Sequence, residues 1–261
     1  MYMNMTQLVG ILNITPDSFS DGDLFLDPEK AVRHAEKLMK DGAAMVDIGA
    51  ESTRPGAKPI TSAEEWRRLK PVIEWISTLY PGKLSLDTYH PETADKALSK
   101  REFIINDVTG MNNPDMVDVV ATHQAKCIIG HLKGTDIQAA HKGELVDDIQ
   151  VVVDDLLAKA TLMQDRGLKH NQIILDPGIG FGKTDELNWR LLEFAQYVPE
   201  YDVMIGYSRK RFLGDQRMEL EINLGAARVA IAAGAAYLRV HDVAGHKKLL
   251  DVIYTGAKHV E

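Results

Sequence analysis

The fold is decided by the stretch Ile173-Ile174-Leu175-Asp176-Pro177-Gly178-Ile179-Gly180-Phe181-Gly182-Lys183. Its three consecutive large aliphatic residues indicate a strand buried on both faces, which is typical of parallel sheets. Pro177 restricts Asp176 to extended geometry and removes a ladder donor, so the strand is predicted to end with a carboxylate at its C-terminal edge. The three glycines allow a tight turn close to a ligand, and Thr184 or Asp185 can cap the next helix.

Two other interpretations of this stretch are open at this point. The segment from Gly178 to Lys183 has the glycines of a nucleotide loop, but the third comes one place early for G-x-G-x-x-G, and the P-loop spacing is not met. A purely structural turn is the second alternative, because Asp-Pro-Gly is ordinary turn chemistry. The pattern of the whole chain favours a ligand site.

Short β-rich runs alternate with amphipathic helical patterns along all 261 residues. Strands are predicted near 7–13, 44–49, 83–87, 103–107, 126–131, 172–176, 202–207 and 236–241. Helices are predicted near 28–41, 62–79, 91–100, 114–123, 145–166, 185–197, 222–234 and 243–256. Eight βα units predict an α/β fold, a (β/α)8 TIM barrel forming one domain over 1–261. The alternative is an open doubly wound sheet, which would place its site at one switch point.

Local signals agree with these helix boundaries. Asp27-Pro28 and Thr61-Ser62 are predicted to start helices, and Gly42 and Gly167 to stop them. The acidic tract from Glu144 to Asp155 is interpreted as the solvated start of a long outer helix, where carboxylates favour the helix dipole.

The composition narrows the classes of partner. The net charge of −8 disfavours nucleic acid and anionic membranes, while a hydrophobic content of 45% is ample for a large core. The single Cys127 rules out an internal disulfide and is expected to be a buried thiol. We see neither a signal peptide nor an apolar run long enough to span a bilayer, so we expect a soluble, cytoplasmic protein.

The active face of a (β/α)8 barrel lies at the C-terminal ends of its strands, and almost every predicted strand ends in polar residues. They are Asn13, Glu51 to Arg54, Asp87, Asn106-Asp107, His131 with Lys133, Asp176, Ser208-Arg209-Lys210, and Arg239 with His241-Asp242. One such residue would more often be an ordinary loop residue. Polar groups at eight strand ends together indicate a functional face.

These residues form two chemical groups. Asp87, Asn106 and Asp176 suit a flat polar ring, because a carboxylate accepts two parallel N–H bonds and an amide both donates and accepts. The second group is a cationic cluster on a negatively charged chain, which indicates a phosphate or diphosphate ligand. Its members are Arg54, Arg209, Lys210, Arg239 and His241. The βα connections at 13–22 and 51–56 are candidate lids, with surface filler as the alternative.

Seven collinear motifs carry a resemblance to a known family. They are Gly10-Ile-Leu-Asn13-Ile-Thr-Pro-Asp-Ser-Phe-Ser-Asp-Gly22, Glu51-Ser-Thr-Arg-Pro-Gly56, Ser85-Leu-Asp87-Thr88, Asn106-Asp-Val-Thr-Gly110, Asp176-Pro-Gly-Ile-Gly-Phe-Gly-Lys183, Gly206-Tyr-Ser-Arg-Lys210 and Arg239-Val-His-Asp242. In these segments the chain closely resembles the dihydropteroate synthases, within the wider family of pterin-binding TIM barrels.

The resemblance implies condensation of 6-hydroxymethyl-7,8-dihydropterin diphosphate with p-aminobenzoate, giving 7,8-dihydropteroate and pyrophosphate. It implies a pterin site formed by Asp87, Asn106, Asp176 and Lys210. It also implies that Arg239, His241 and Asn13 hold the diphosphate and its Mg²⁺, joined by Thr53 and Arg54 when the second loop closes. Because the family's asparagine ligand is neutral, the metal should bind weakly without substrate.

The same resemblance implies that pyrophosphate leaves a carbocation-like pterin methylene before the arylamine attacks. Lys210, Arg239, His241 and Arg54 would stabilise the departing charge, and no side-chain nucleophile is needed. Phe19 and Phe181 would sandwich the benzoate ring, Ser208 would meet its carboxylate, and Pro55 would shape the pocket edge. Competitive inhibition by sulfonamides and a homodimer formed through outer helices are further expectations.

The sequence departs from the family pattern at the end of the fifth strand. The usual Met-His-Met is replaced by Gly130-His131-Leu132, so we expect a looser pterin pocket there. The usual Asp-Gly-Gly also reads Asp21-Gly22-Asp23. Two alternatives stay open. One is a methyltetrahydrofolate:corrinoid methyltransferase, which has no need for a diphosphate grip, and the other is a catalytically silent pterin-binding paralogue.

Overall fold

The computed structural model of the chain describes residues 5–15, 27–54, 56–134, 137–140 and 143–256. Eight parallel strands form a closed barrel in chain order, and the first strand pairs with the last. The strands are β1 Gln7–Asn13, β2 Met45–Gly49, β3 Leu84–Asp87, β4 Ile104–Asp107, β5 Cys127–Gly130, β6 Ile173–Asp176, β7 Asp202–Ile205 and β8 Tyr237–Val240. The (β/α)8 prediction is therefore confirmed, and the open sheet is excluded.

Helices follow the strands, with small differences from the predicted bounds. They are α1 Pro28–Lys40, α2 Ser62–Leu79, α3 Pro91–Leu98, α4 Pro114–Thr122, α5 Ile137–Ala140, α6 Ile149–Asp165, α7 Asp185–Arg190, α8 Leu220–Ala232 and α9 Val243–Gly256. The helix predicted at 185–197 is divided into α7 and a 3-10 segment, Leu191–Gln196, whose tighter winding places Leu191, Leu192 and Phe194 in the core. Within the described ranges, no helix is long and apolar enough to cross a membrane.

The predicted helix starts and stops are present. Asp27 accepts hydrogen bonds from the first turn of α1, Thr61 caps α2 and Thr184 caps α7. Gly42 and Gly167 follow α1 and α6 with φ of 108° and 94°, a left-handed geometry that glycine adopts at little cost.

The interpretation of the acidic tract as a helix start is wrong for its first part. Helix α6 begins only at Ile149, and Asp148 is its N-cap. The preceding segment is extended, because Val146 forms a parallel bridge with Lys183 and so joins the loop after β6.

The apolar core lies below the predicted active face. A cluster of Val9, Met45, Ile128, Ile174 and Met204 fills the barrel interior, and each lies at least one residue before the end of its strand. A larger cluster fills the space between strands and helices. Cys127 belongs to that cluster, and burial raises the pKa of its thiol to about 12, so the prediction of a buried structural thiol is confirmed.

Two glycines with nearly the same φ provide a test of the packing above β4. Gly110 and Gly82 have φ of 73° and 72°, but a β-carbon would lie 2.1 Å from the Gly130 carbonyl oxygen at Gly110 and would meet no atom within 4 Å at Gly82. Gly82→Ala should lower the free energy of unfolding by about 1 kcal/mol through its left-handed geometry. Gly110→Ala should lower it by about 3 kcal/mol, because overpacking is added. Urea unfolding measures both, and equal losses would contradict this packing.

Candidate active site

Two ion pairs join three strands at the mouth of the barrel. Arg239, on β8, donates from Nε to Asp47 Oδ2 at 2.5 Å and from Nη2 to Asp87 Oδ2 at 2.7 Å. Burial by itself lowers the pKa of Arg239, but the negative charges of Asp47 and Asp87 raise it by more. The pKa therefore lies above its ordinary value, and the guanidinium keeps its charge. Burial raises the pKa of Asp87, and the positive charge of Arg239 opposes this rise. The structure therefore brings a predicted pterin residue and a predicted diphosphate residue into direct contact.

Asp47, on β2, is the site residue that the sequence analysis missed. It is fully buried and also accepts hydrogen bonds from Ser85 Oγ at 2.5 Å and Asn106 Nδ2 at 3.0 Å. It thus orients both Arg239 and Asn106. The sequence signal that could have identified Asp47 was a single charge inside the apolar strand Met45–Gly49. Asp47 comes two residues after Met45, which points into the barrel, so it lies on the same face of the strand.

Asp176 completes the predicted trio. A β-carbon at Gly206 would lie 3.6 Å from Asp176 Oδ2 and 3.9 Å from Arg239 Cδ, so both side chains lie over this glycine. Asp176 Oδ1 also accepts a hydrogen bond from the Gly178 amide at 2.8 Å. Burial raises the pKa of Asp176, opposed chiefly by the charge of Lys210. Asp87, Asn106 and Asp176 therefore converge on one region around Arg239.

Lys210, a member of the predicted cationic group, lies beside Asp176 of the predicted pterin group. Its Nζ donates to the Ile179 carbonyl oxygen at 2.5 Å and lies 4.9 Å from the centre of the Phe181 ring. Burial lowers the pKa of Lys210 to about 8, while Asp176 raises it. An anionic ligand at this position would stabilise the charged form of the lysine.

His241 differs from the prediction in its charge. Its Nδ1 lies 3.0 Å from Ser208 Oγ, and its pKa is lowered to about 3 by burial and then by Arg209, Arg239, Arg54 and Lys210. The inclusion of His241 among the cations is therefore wrong for the free protein, because the imidazole is neutral at neutral pH. Its shifted pKa nevertheless reports that the arginines and Lys210 lie close together.

The loop after β2 is held by side chains from neighbouring connections. Gln138 in α5 donates from Nε2 to the Arg54 carbonyl oxygen at 3.1 Å and accepts from the Gly56 amide at 2.8 Å. Arg54 itself is exposed on this loop. Phe19, Pro55 and most of the first loop lie outside the described residues, so their proposed roles stay predictions.

Four other polar residues at the strand ends serve the scaffold instead of the pocket. Asp107 accepts from Thr109 and Met111, His131 Nε2 lies 3.2 Å from Asp155 in α6, Lys133 pairs with Glu144, and Asp242 accepts from the Gly245 amide at the start of α9. These contacts are local or directed at outer helices. Position at a strand end was therefore not a sufficient signal for the site.

The glycine-rich loop after β6 is closed by Lys183. Its buried Nζ donates to the carbonyl oxygens of His131, Gly178 and Phe181 at 3.2, 2.9 and 3.0 Å. Lys183 therefore stabilises the conformation of this loop and does not bind a nucleotide phosphate.

The expectation of a looser pocket at Gly130 is not supported. A β-carbon there would lie 2.9 Å from Val108 Cα and 3.0 Å from the Asp107 carbonyl oxygen. The space is already filled by backbone from the end of β4, so the glycine allows close contact between the two connections.

Comparison with known proteins agrees with this geometry. The sequence profile of the family described as pterin binding enzyme matches residues 9–241. The chain therefore belongs to the pterin-binding enzyme family.

Within that family the most similar relatives include dihydropteroate synthases. The chain is 35% identical over 260 residues to the one from Clostridium beijerinckii, covering 95% of this chain and 94% of that protein. It is 37% identical over 253 residues to the one from Bacillus subtilis, covering 93% and 85%. A structure of Xanthomonas albilineans dihydropteroate synthase with 4-aminobenzoic acid has a TM-score of 0.88 at 34% identity, covering 98% of this chain and 94% of that one. The chain is thus a transferase of the dihydropteroate synthase group, and the corrinoid methyltransferase alternative is not supported.

The Asp47–Arg239 ion pair can be tested against an exposed pair. Asp47→Asn removes a buried charge and leaves Arg239 with one carboxylate, which should lower the free energy of unfolding by about 3 kcal/mol. Asp251→Asn removes a carboxylate that pairs with Lys247 on the surface, so its unfolding should stay close to wild type. Chemical denaturation measures both. A similar small loss for the two variants would mean that the buried pair does not hold the site.

Because His241 is neutral in the free protein, we predict that its imidazole does not titrate near neutral pH. Because its pKa is about 3, the His241 resonance in an NMR titration should not move between pH 5 and 8 in the free protein. Added pyrophosphate should raise the pKa, since an anion stabilises the imidazolium. The spectrum of His241→Gln assigns the signal. A midpoint near the ordinary histidine value of about 6.5 without ligand would contradict the arrangement of cations.

Proposed function

We propose that this chain joins 6-hydroxymethyl-7,8-dihydropterin diphosphate to p-aminobenzoate, releasing pyrophosphate and forming 7,8-dihydropteroate. The observation that carries the proposal is the convergence of Asp87, Asn106 and Asp176 around Arg239, with Lys210 beside them. Carboxylate and amide groups suit the N–H and carbonyl edge of a pterin ring. The adjacent cations suit its diphosphate.

The cations act on the charge that develops as the carbon–oxygen bond to the diphosphate breaks. Lys210, Arg239 and Arg54 stabilise the departing pyrophosphate, and neutral His241 can accept a proton as negative charge approaches. The arylamine nitrogen then bonds to the pterin methylene and loses a proton, which the departed pyrophosphate can accept. Because the amine itself is the nucleophile, the chain needs none of its own.

The binding of p-aminobenzoate is assigned to the region beside Lys210. Phe181 has its ring there, and Ser208 is held by His241, so an aromatic face and a hydroxyl lie near the cations. Phe19, Thr53 and Pro55 complete this assignment from the resemblance. Solved relatives include a Yersinia pestis dihydropteroate synthase in a sulfonamide drug complex, which supports sulfonamides as competitors for the same place.

Magnesium is proposed as the metal, held with the substrate. Asn13 is half-buried at the end of β1, beside Gly49, and offers a neutral amide oxygen. Asp87 and Asp176 are engaged with Arg239 and Gly178, so the charge that balances Mg²⁺ must come from the diphosphate. This donor set fits an ion that keeps several waters and binds through substrate phosphates. When bound, Mg²⁺ would neutralise the diphosphate and assist its departure.

A homodimer and a cytoplasmic location are also proposed. Large apolar side chains are exposed on α7, α8 and the segments beside them, namely Trp189, Tyr197, Met218 and Val229. Such a surface fits a second copy of the chain packed through outer helices. The location is proposed because a folate-forming enzyme acts on small phosphorylated intermediates.

The direct test is pyrophosphate release by the purified protein with both substrates, with and without Mg²⁺. We expect Mg²⁺-dependent turnover that a sulfonamide inhibits in competition with p-aminobenzoate. Asp176→Ala should reduce pterin affinity at least about tenfold, because ring N–H groups would be buried without acceptors. The control is Asp202→Ala, at the opposite end of the barrel, which should bind like wild type. Intact pterin binding without any turnover would identify a catalytically silent paralogue instead.

A further inference from the structure

A second group of ionisable side chains lies next to the active face. Glu51 follows β2, Glu65 lies in the first turns of α2, and His90 precedes α3. One carboxylate oxygen from each glutamate and one ring nitrogen of His90 all lie within 4.8 Å of one another. Among the residues that the structure describes, this is the one set of three His, Cys, Asp or Glu side chains that meets so closely.

Glu65 has a buried oxygen without a partner. The side chain is fully buried, and Oε2 accepts a hydrogen bond from Thr88 Oγ1 at 2.7 Å, but Oε1 has no hydrogen-bond partner. The Thr93 hydroxyl lies close enough to oppose the rise that burial causes in the pKa of Glu65, but it donates its hydrogen bond to the Ser62 carbonyl oxygen at 3.3 Å. An unpaired buried carboxylate oxygen costs free energy, so its presence in the native structure needs an explanation. A bound cation would supply one, because it would pair with this oxygen.

The positive charges near Glu51 and Glu65 are too few to balance both carboxylates. His90 Nε2 lies 2.8 Å from Glu51 Oε2, and among the described residues it is the one basic group within salt-bridge distance of either glutamate. Nearby Arg68 instead pairs with Glu64 and donates to the Ala50 carbonyl oxygen. A divalent ion would balance both carboxylates and would leave His90 neutral.

The distances also match a metal site with little rearrangement. Two ligand atoms bound tetrahedrally to Zn²⁺, each at about 2.0–2.1 Å, lie about 3.3 Å apart. His90 Nε2 and Glu51 Oε2 are 2.8 Å apart, so they would have to separate by about half an ångström to admit the ion. Glu65 approaches from α2 and can supply the third ligand.

We propose that Glu51, Glu65 and His90 bind one divalent transition-metal ion, with Zn²⁺ as the representative. An imidazole with two carboxylates suits Zn²⁺ and related ions, whereas Mg²⁺ takes oxygen ligands and keeps its waters. The site is separate from the Mg²⁺ assigned to the diphosphate, and it needs no substrate.

The ion would act on the loop that carries Thr53 and Arg54. Glu51 stands at the start of this loop, and its Oε1 accepts both the Ile60 amide at 3.2 Å and the Tyr89 hydroxyl. Coordination would therefore join the two ends of the loop to α2 and to the connection after β3. The metal is a structural brace beside the active site, not a participant in the reaction.

The test uses untagged full-length protein, stripped with a chelator and dialysed against Zn²⁺ without diphosphate. Metal analysis should give one Zn²⁺ per chain, and Co²⁺ in its place should give visible absorption bands from the coordinated ion. Glu65→Gln and His90→Gln should each weaken Zn²⁺ affinity at least about tenfold. The wild-type measurement does not depend on how the variants fold, and circular dichroism checks each variant.

The matched control is His123→Gln. His123 Nε2 lies 2.8 Å from Asp95 Oδ1, so it reproduces the histidine–carboxylate pair without a second carboxylate at this distance in the described part of the chain. This variant should bind Zn²⁺ like wild type. The proposal is overturned if the wild-type chain retains no Zn²⁺, if Glu65→Gln binds it unchanged, or if His123→Gln loses it as well.

Discussion

The contact of the partly buried Arg239 with Asp47 and Asp87 is the constraint on which the site depends. A single charge in a barrel interior would cost several kcal/mol, so each of these groups is tolerated because the others are present. Arg239 lies on β8 and its partners on β2 and β3, with β1 between them. The ion pairs therefore exist only when the sheet closes, and closure and assembly of the site are one event.

The same network explains how a pterin site and a diphosphate site share one cavity. Asp47 holds Asn106 as well as Arg239, so a hydrogen-bonding group and a cation are oriented by one buried carboxylate. Asp176 and Lys210 repeat the arrangement on β6 and after β7, each shifting the pKa of the other against the effect of burial. The paired opposite charges oppose the pKa shifts that burial causes, which prepares the cavity for a substrate with a polar ring and an anionic tail.

Rigid connections keep these side chains in place. Lys183 holds three carbonyl oxygens and so fixes the loop between Asp176 and α7, while Gln138 joins the loop after β2 to α5. Polar contacts of this kind serve geometry, because a site precise to fractions of an ångström needs supporting contacts behind it. The functional loops are thus built partly from residues that never meet a ligand.

The strand-end residues Asp87, Asn106 and Asp176 were predictable because an apolar run followed by a polar residue reports purely local geometry. By itself the sequence determined the eight βα units, the helix caps and the edge of the barrel that carries the polar groups. Only the tertiary structure decided that Asp47 belongs to the site and that His131 turns to an outer helix. The physical reason is that a strand's period gives each side chain a face, whereas its partners depend on the stagger of neighbouring strands and on helix packing, which bring together residues as far apart in sequence as Asp47 and Arg239.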